Sequence, residues 1–414
     1  MGGNTRHSDA AAHSAGRGGE APAAGRPHAT PLRWPLAHSA LASLTTGMVQ
    51  HGLYFLAHEI LGFDDAMNLV LALALFIPYV PGALLAGTVA RRFGPRRTVI
   101  AAMIVMGLSM VALAISPTRL MLFIAAPLYN MLCGLQWPIV ESYIAAGRHG
   151  KEMRRAIGWF NIVWSVALAP SLWVIGLTLR TGRPTDSFIV VAVAHLLTLA
   201  FVAPWPARPI DHDRDEQSRH TGPEYRHLLV SARILLPLSY VLMNAMSPLL
   251  PGTWERLGVV VSVGATLSST WMSARVVAFA LMFWRPGWHG RWGTLLGGGL
   301  FTIGGFALVL WAPGVAAVVA GLAAYGIGQG MVYYAALYYG MAVGHAEVES
   351  GGAHEAVIGV GYSIGPMLAL AARAALPVRP DLGVLIGVGV LVAAGSLAAF
   401  RPYARARAKR REAG

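Results

Sequence analysis

Charge is scarce in this chain. Only 12% of its 414 residues are Asp, Glu, Lys or Arg, about half of the ~25% typical of soluble domains. With 55% hydrophobic residues, that shortage excludes an ordinary soluble protein. Cysteine is nearly absent: the single Cys133 rules out an internal disulfide, and the usual zinc motifs need more than one thiol. No HExxH or pair of catalytic carboxylates lies within the apolar segments, so a membrane-embedded enzyme is not expected. A GxxxxGK[ST] phosphate loop is missing too, which argues against an ATP-driven pump. No metal or cofactor is expected. Residues 1–32 lack an apolar core, so they read as a disordered cytoplasmic tail rather than a cleavable signal.

What the chain does have is long apolar runs, at about 36–61, 66–90, 98–116, 120–146, 156–179, 187–205, 229–251, 259–284, 293–312, 314–343, 353–377 and 382–400. Most approach or exceed the ~20 residues that cross a ~30 Å hydrocarbon core as a helix. In lipid only helices and closed barrels satisfy their backbone, and barrel strands would show alternating segments of about ten residues. The expected fold is therefore all-α, with twelve transmembrane helices. The longest interior polar stretch, ARPIDHDRDEQSRHTGPEYRH at 207–227, divides six runs from six. It predicts a six-helix half at 33–206, a cytoplasmic linker at 207–227, a second six-helix half at 228–401 and a basic cytoplasmic tail at 402–414. Spacing supports two halves: RRFGPRR at 91–97 is answered by RPGWHGR at 285–291, about 195 residues later, and Pro170 by Pro366. Paired halves are a known transporter architecture.

The net charge of +13 fits the same picture without a nucleic-acid partner. Of the 32 Lys and Arg, 24 fall in the N-tail, alternate loops and C-tail. Five fall in the opposite loops (Arg119, Arg180, Arg183, Arg256 and Arg379), and Arg233, Arg275 and Arg373 sit inside apolar segments. This bias places both termini in the cytoplasm, with the chain in the cell membrane. The loop at 344–355, predicted cytoplasmic, carries Glu347, Glu349 and Glu355 without Lys or Arg; acidic residues count little in this rule.

The turn after the second run reads Gly87-Thr-Val-Ala-Arg91-Arg92-Phe-Gly94-Pro-Arg96-Arg97. Together with span count and linker position, it resembles the major facilitator superfamily. That family's signature between helices 2 and 3 is Gly, three residues, Asp, Arg, any residue, Gly, then basic residues. Gly87, Arg92, Gly94, Arg96 and Arg97 fit, and Arg91 stands where the family has Asp. The resemblance implies a gating role for this turn, but without the carboxylate that would pair with neighbouring helices. The plainer reading is a basic turn that fixes topology. On helix 4 the family carries an Arg several residues before a Gly; here Asn130 precedes Gly134. The antiporter motif Gly-x-x-x-Gly-Pro is reduced to Ala169-Pro170 on helix 5. Helix 11 has the fuller form, Gly361-Tyr-Ser-Ile-Gly365-Pro366, which serves either gating or close packing with a kink. These departures disfavour drug/proton antiport. The resemblance implies a central cavity lined by helices 1, 4, 5, 7, 8, 10 and 11.

Polar groups at bilayer depth are costly and mark function by default. Arg275 lies ten residues before Arg285, about 15 Å deep at 1.5 Å per residue, too far to snorkel. With Trp271 one turn away, it reads as an anchor for an anionic or polar group, or as half of a buried ion pair. Glu141 shares a face with Asn130, Gly134 and Trp137 at i, i+4, i+7 and i+11. It could load a proton or pair with Arg154 or Arg155. Gln50, His51 and Tyr54 in the first run, Asn161 and Trp164 in the fifth, Asn244 in the seventh, and Tyr325, Gln329 and Tyr333 in the tenth complete the substrate-binding candidates. Aromatic rings with scattered hydrogen-bonding groups suit polar organic solutes. The expected function is secondary transport of a small neutral or anionic organic solute by alternating access. The expected partners are that solute, the bilayer and protons as coupling ion, with a monomeric chain. A non-transporting sensor or scaffold on the same fold is the rival.

Overall fold

The computed structural model describes residues 29–148, 150–210, 223–343 and 348–412. The N-tail up to residue 28, the linker core 211–222 and Glu347 lie outside the described residues. Every regular element among the described residues is helical. A first group comprises α1 (Arg33–Gln50), α2 (Leu53–Leu61), α3 (Asp65–Phe76), α4 (Tyr79–Phe93), α5 (Pro95–Ile115), α6 (Arg119–Ala145), α7 (Gly150–Leu168), α8 (Ser171–Arg180) and α9 (Asp186–Val202). A second group comprises α10 (Pro223–Met246), α11 (Leu250–Arg256), α12 (Val261–Ser268), α13 (Thr270–Trp284), α14 (Trp292–Trp311), α15 (Val315–Val343), α16 (Val348–Ala375) and α17 (Pro380–Glu412).

Several consecutive helices are one rod interrupted by a joint. Pro78 separates α3 from α4, and Pro170 separates α7 from α8. A proline lacks the N–H that an unbroken ladder would use, so the rod bends there. Counting α3–α4 and similar pairs as single rods, ten helices among the described residues are long and apolar enough to cross a membrane. The helix Asp186–Val202 is apolar but shorter. The basic turn is set by Gly94, whose φ of 88° ends α4; Pro95 then starts α5 in the N1 position where its missing N–H costs nothing.

Polarity is inverted relative to a soluble bundle. Large apolar residues such as Leu108, Ile115, Leu300 and Leu397 point outward, while His38, Gln50, Asn130, His195, Arg275 and Gln329 are buried. In lipid, apolar burial does not drive helices together, so close packing must. The glycines show how. A Cβ at Gly82 would run into the Met131 carbonyl of α6, and one at Gly134 into the Tyr79 carbonyl of α4. The α4–α6 pair is thus sealed by reciprocal backbone contact. Gly361 and Gly365 do the same for α16, against the Pro237 and Val241 carbonyls of α10. Both sit within the second group, and Pro366 continues the same helix.

One sequence expectation needs correction here. The stretch 344–355 is not a loop throughout, because α16 begins at Val348. Glu355 is therefore about two turns into a helix and buried.

Candidate functional site

The two groups meet along α16 against α3, α4 and α6, α12 against α8, and α13 against α7. Between them lies a cavity of about 60 Å³, room for about four waters. Its wall takes residues from both groups, among them Gln50, His51, Tyr79, Trp137, Glu141, Trp164, Tyr240, Arg275, Tyr333, Glu355 and Tyr362.

One pole is built around Arg275, which is 2% exposed. Its guanidinium lies 4.5 Å from the Trp164 ring centre and 4.8 Å from that of Trp271. Flat delocalised cations stack well between such rings. Nη1 donates to Gln329 Oε1 at 3.4 Å, while Nε and Nη2 have no partner among the described residues. The Gln329 and Trp271 side-chain nitrogens are also buried and unpartnered. Unmet buried donors each cost roughly 1–3 kcal/mol, so a group of them around one cation is unusual in a finished core.

The other pole carries Glu141 from α6 and Glu355 from α16. The Tyr79 hydroxyl donates to Glu355 Oε2. A Cβ at Gly351, one turn before Glu355, would lie 3.2 Å from Glu141 Oε2, so both carboxylates occupy the α6–α16 seam. A chain of rings joins the poles. Centroid separations are 5.7 Å from Tyr79 to Tyr362, 4.7 Å to Tyr240, 6.4 Å to Tyr333 and 5.2 Å to Trp164, beside Arg275. All four are edge-on contacts, the arrangement aromatic quadrupoles favour.

Of the residues singled out in the sequence, Gln50, His51, Trp137, Glu141, Trp164, Arg275 and Tyr333 line the cavity. Trp271 and Gln329 stand behind it, touching Arg275. The rest are placed elsewhere. Asn130 accepts from Gln50 Nε2 at 2.7 Å and donates to the Leu75 carbonyl at 2.8 Å, cross-linking α6 to α1 and α3 outside the cavity wall. Asn161 accepts from Trp164 Nε1 at 3.1 Å, and Asn244 donates to the Tyr362 carbonyl at 3.3 Å. Tyr325 donates to the Ser239 carbonyl at 2.8 Å. Tyr54 is buried in the α2 packing. These five hold the wall rather than form it. Tyr79, Tyr240, Tyr362 and Glu355 are among the wall residues that sequence reasoning missed. Glu355 alone gave a signal, as a carboxylate at the edge of an apolar run.

Outside the cavity, the two ends of the bundle differ. At the end opposite the basic turn, Asp65 of α3 accepts at one oxygen, Oδ2, from Arg256 and Arg373, each at 2.9 Å. Asp381 bridges the same two arginines at 3.1 and 2.8 Å. At the basic end, Arg96 donates to the Trp205 carbonyl at 2.8 Å, fastening the turn to the end of α9. Arg148 donates to the Ile144 carbonyl at 2.7 Å and to the Thr30 carbonyl at 2.5 Å, closing the C-terminus of α6. Arg91 and Arg92 lie on the exposed surface there, as does Arg97, and Gly87 is buried within α4.

Rods longer than a bilayer, an apolar outer surface and a polar cavity shared by two helical groups define a multi-pass membrane protein of the solute-carrier kind. The family model of the Major Facilitator Superfamily matches residues 39–369, and the chain belongs to that superfamily of transporters. The crystal structure of the nucleoside transporter NupG is similar, with a TM-score of 0.64 at 14% identity, covering 89% of this chain and 99% of that one. A mutant form of NupG gives 0.65, at the same identity and with 100% of its chain covered. At this identity the likeness is one of fold. No curated protein matches the sequence.

Proposed function

We propose that the protein is a secondary active transporter that moves a small neutral or anionic organic solute by alternating access. In this reading α1–α2 forms the first of twelve spans and Asp186–Val202 the sixth, giving two six-helix halves at 33–206 and 228–401. The protein is a monomer in the cytoplasmic membrane with both termini in the cytoplasm, and protons are the coupling ion. The loop-charge bias supports that orientation, and rocking of paired halves about a midplane site is the common carrier cycle.

The observation that carries the proposal is Arg275. It faces the inter-group cavity with Nε and Nη2 unpartnered, between two indole rings. A structural arginine at this depth would have its donors satisfied. Uptake by proteoliposomes tests the reading, with organic anions, sugars, nucleosides and lipophilic cations offered with and without a proton gradient. Arg275→Ala should lower uptake of the accepted solute by at least about 30-fold, since losing a buried charge partner costs 2 kcal/mol or more. Flux of a lipophilic cation that is indifferent to this substitution would overturn the proposal. Folded protein that moves none of the solutes would favour the sensor or scaffold.

A further inference from the structure

Arg275 accounts for one pole of the cavity; the other pole is chemically its opposite. Resting on the transporter reading above, we infer that the solute is a zwitterion: its acidic group docks at Arg275 and its cationic group between Glu141 and Glu355.

The donor pole is unfinished on its own. Arg275 Nε and Nη2, Gln329 Nε2 and Trp271 Nε1 are buried donors without acceptors. A carboxylate is the compact group that accepts several such bonds at once and neutralises the guanidinium. A neutral hydroxyl would satisfy one donor and leave the charge.

The acceptor pole has the complementary chemistry. Glu141 and Glu355 line the same cavity, and the Gly351 geometry places Glu141 against the helix that carries Glu355. The Tyr79 hydroxyl meets one of those four oxygens. Two like charges facing one small space repel, and a cation between them removes the repulsion. An ammonium has three donors and no acceptor, which matches a site made of carboxylate oxygens.

The two carboxylates belong to different groups, Glu141 to α6 and Glu355 to α16. A cationic head between them would therefore draw the groups together at that end of the seam. An anion alone would fill the Arg275 pole and leave that repulsion in place. The aromatic wall between the poles gives a flat apolar middle, so the solute that fits carries its two charges at separate points of a compact, partly apolar body.

The test uses the full-length protein in detergent and in proteoliposomes, with a matched panel: 4-(2-aminoethyl)benzoate, phenethylamine, 4-ethylbenzoate and uridine. The zwitterion, whose charges lie at opposite ends of its ring, should raise the unfolding temperature and be taken up, with the amine and the acid each at least tenfold weaker. Glu355→Gln and Glu141→Gln should weaken the zwitterion at least tenfold and leave 4-ethylbenzoate unchanged or improved. Arg275→Gln should weaken the zwitterion and 4-ethylbenzoate alike; circular dichroism confirms that each variant is folded. Uptake of 4-ethylbenzoate or uridine equal to that of the zwitterion, and lost in Arg275→Ala, would overturn the zwitterion while keeping the carrier. Glutamine variants that bind the zwitterion normally but lose response to a proton gradient would also overturn it, assigning the carboxylates to a proton. Failure of folded protein to take up any of the four would overturn the zwitterion, while the broader panel above decides the carrier.

Discussion

The two ends of the seam between the helical groups are closed by different physics. At one end a carboxylate of the first group, Asp65, is gripped by two arginines of the second, which Asp381 holds in place from their own side. At the other end Gly352 of α16 lies against the Ala83 carbonyl, where an added Cβ would stand 2.7 Å from the oxygen, and Gly158 lies under the Phe283 ring. Ion pairs are strong but few: among the described residues Asp65 makes two, and His58 with Glu255, 3.6 Å apart, adds a histidine–carboxylate contact. Packing contributes there too, since a Cβ at Gly176 would stand 2.6 Å from the Ser262 carbonyl. Backbone approach is weak per contact and sensitive to volume. A carrier that must open each end in turn thus has a charged latch over close packing at one end and a fitted surface at the other.

Substitutions can break this contrast, and their expected effects fall in order. Asp65→Ala removes both arginine links between the groups at that end, leaving the His58–Glu255 contact, and Asp381 keeps the arginines partnered. A partly buried, shared charge contact of this kind is worth about 2 kcal/mol, roughly a 30-fold shift toward opening at that end. Hydrogen exchange at the start of α3 and the end of α16 should rise accordingly; unchanged exchange there would remove the latch. Gly352→Val adds volume where none is free and costs about 1–2 kcal/mol, roughly tenfold in the opposite sense. It should raise exchange along the first turns of α16 and leave the ionic end protected. Arg256→Ala deletes the more exposed arginine, whose side chain is 47% accessible. Solvent screening holds such pairs below about 1 kcal/mol, so a shift under fivefold should be seen, shrinking further in high salt. Arg96→Ala is the control. Its bond to the Trp205 carbonyl lies within one group, so it should lower thermal stability by about 1 kcal/mol and leave the balance between the ends unmoved. A change in uptake as large as that of Asp65→Ala would mean that the basic turn gates after all.

How much of this was legible beforehand follows from what each signal measures. Long apolar runs report the cost of a polar backbone in lipid, so helix positions could be read directly. Arg275 and Glu141 stood out for the same reason, as charges where charge is expensive. Asn130 was misplaced because face arithmetic on α6 aligns it with Glu141 but does not say which neighbour that face meets, and the neighbour proves to be α1 and α3. Tyr79 hid beside Pro78 in a joint that reads as plain apolar sequence. Glu355 follows Glu347 and Glu349 in sequence and reads with them as loop charge, yet it lies inside α16 and is buried. The latch was invisible: Asp65 and Arg373 lie 308 positions apart, and each alone resembles an ordinary helix-end charge.

The lone thiol has a practical consequence. Cys133 is fully buried, with its sulfur 3.7 Å from the Thr46 hydroxyl and 3.8 Å from Gln50 Nε2. A water-soluble maleimide has no path to it, and its raw reactivity should be close to zero in the folded chain. Spin labels or fluorophores can therefore be installed at chosen sites in the natural background, without first stripping native cysteines and re-proving the fold. In this molecule the movement of either end can be watched with each probe reporting alone.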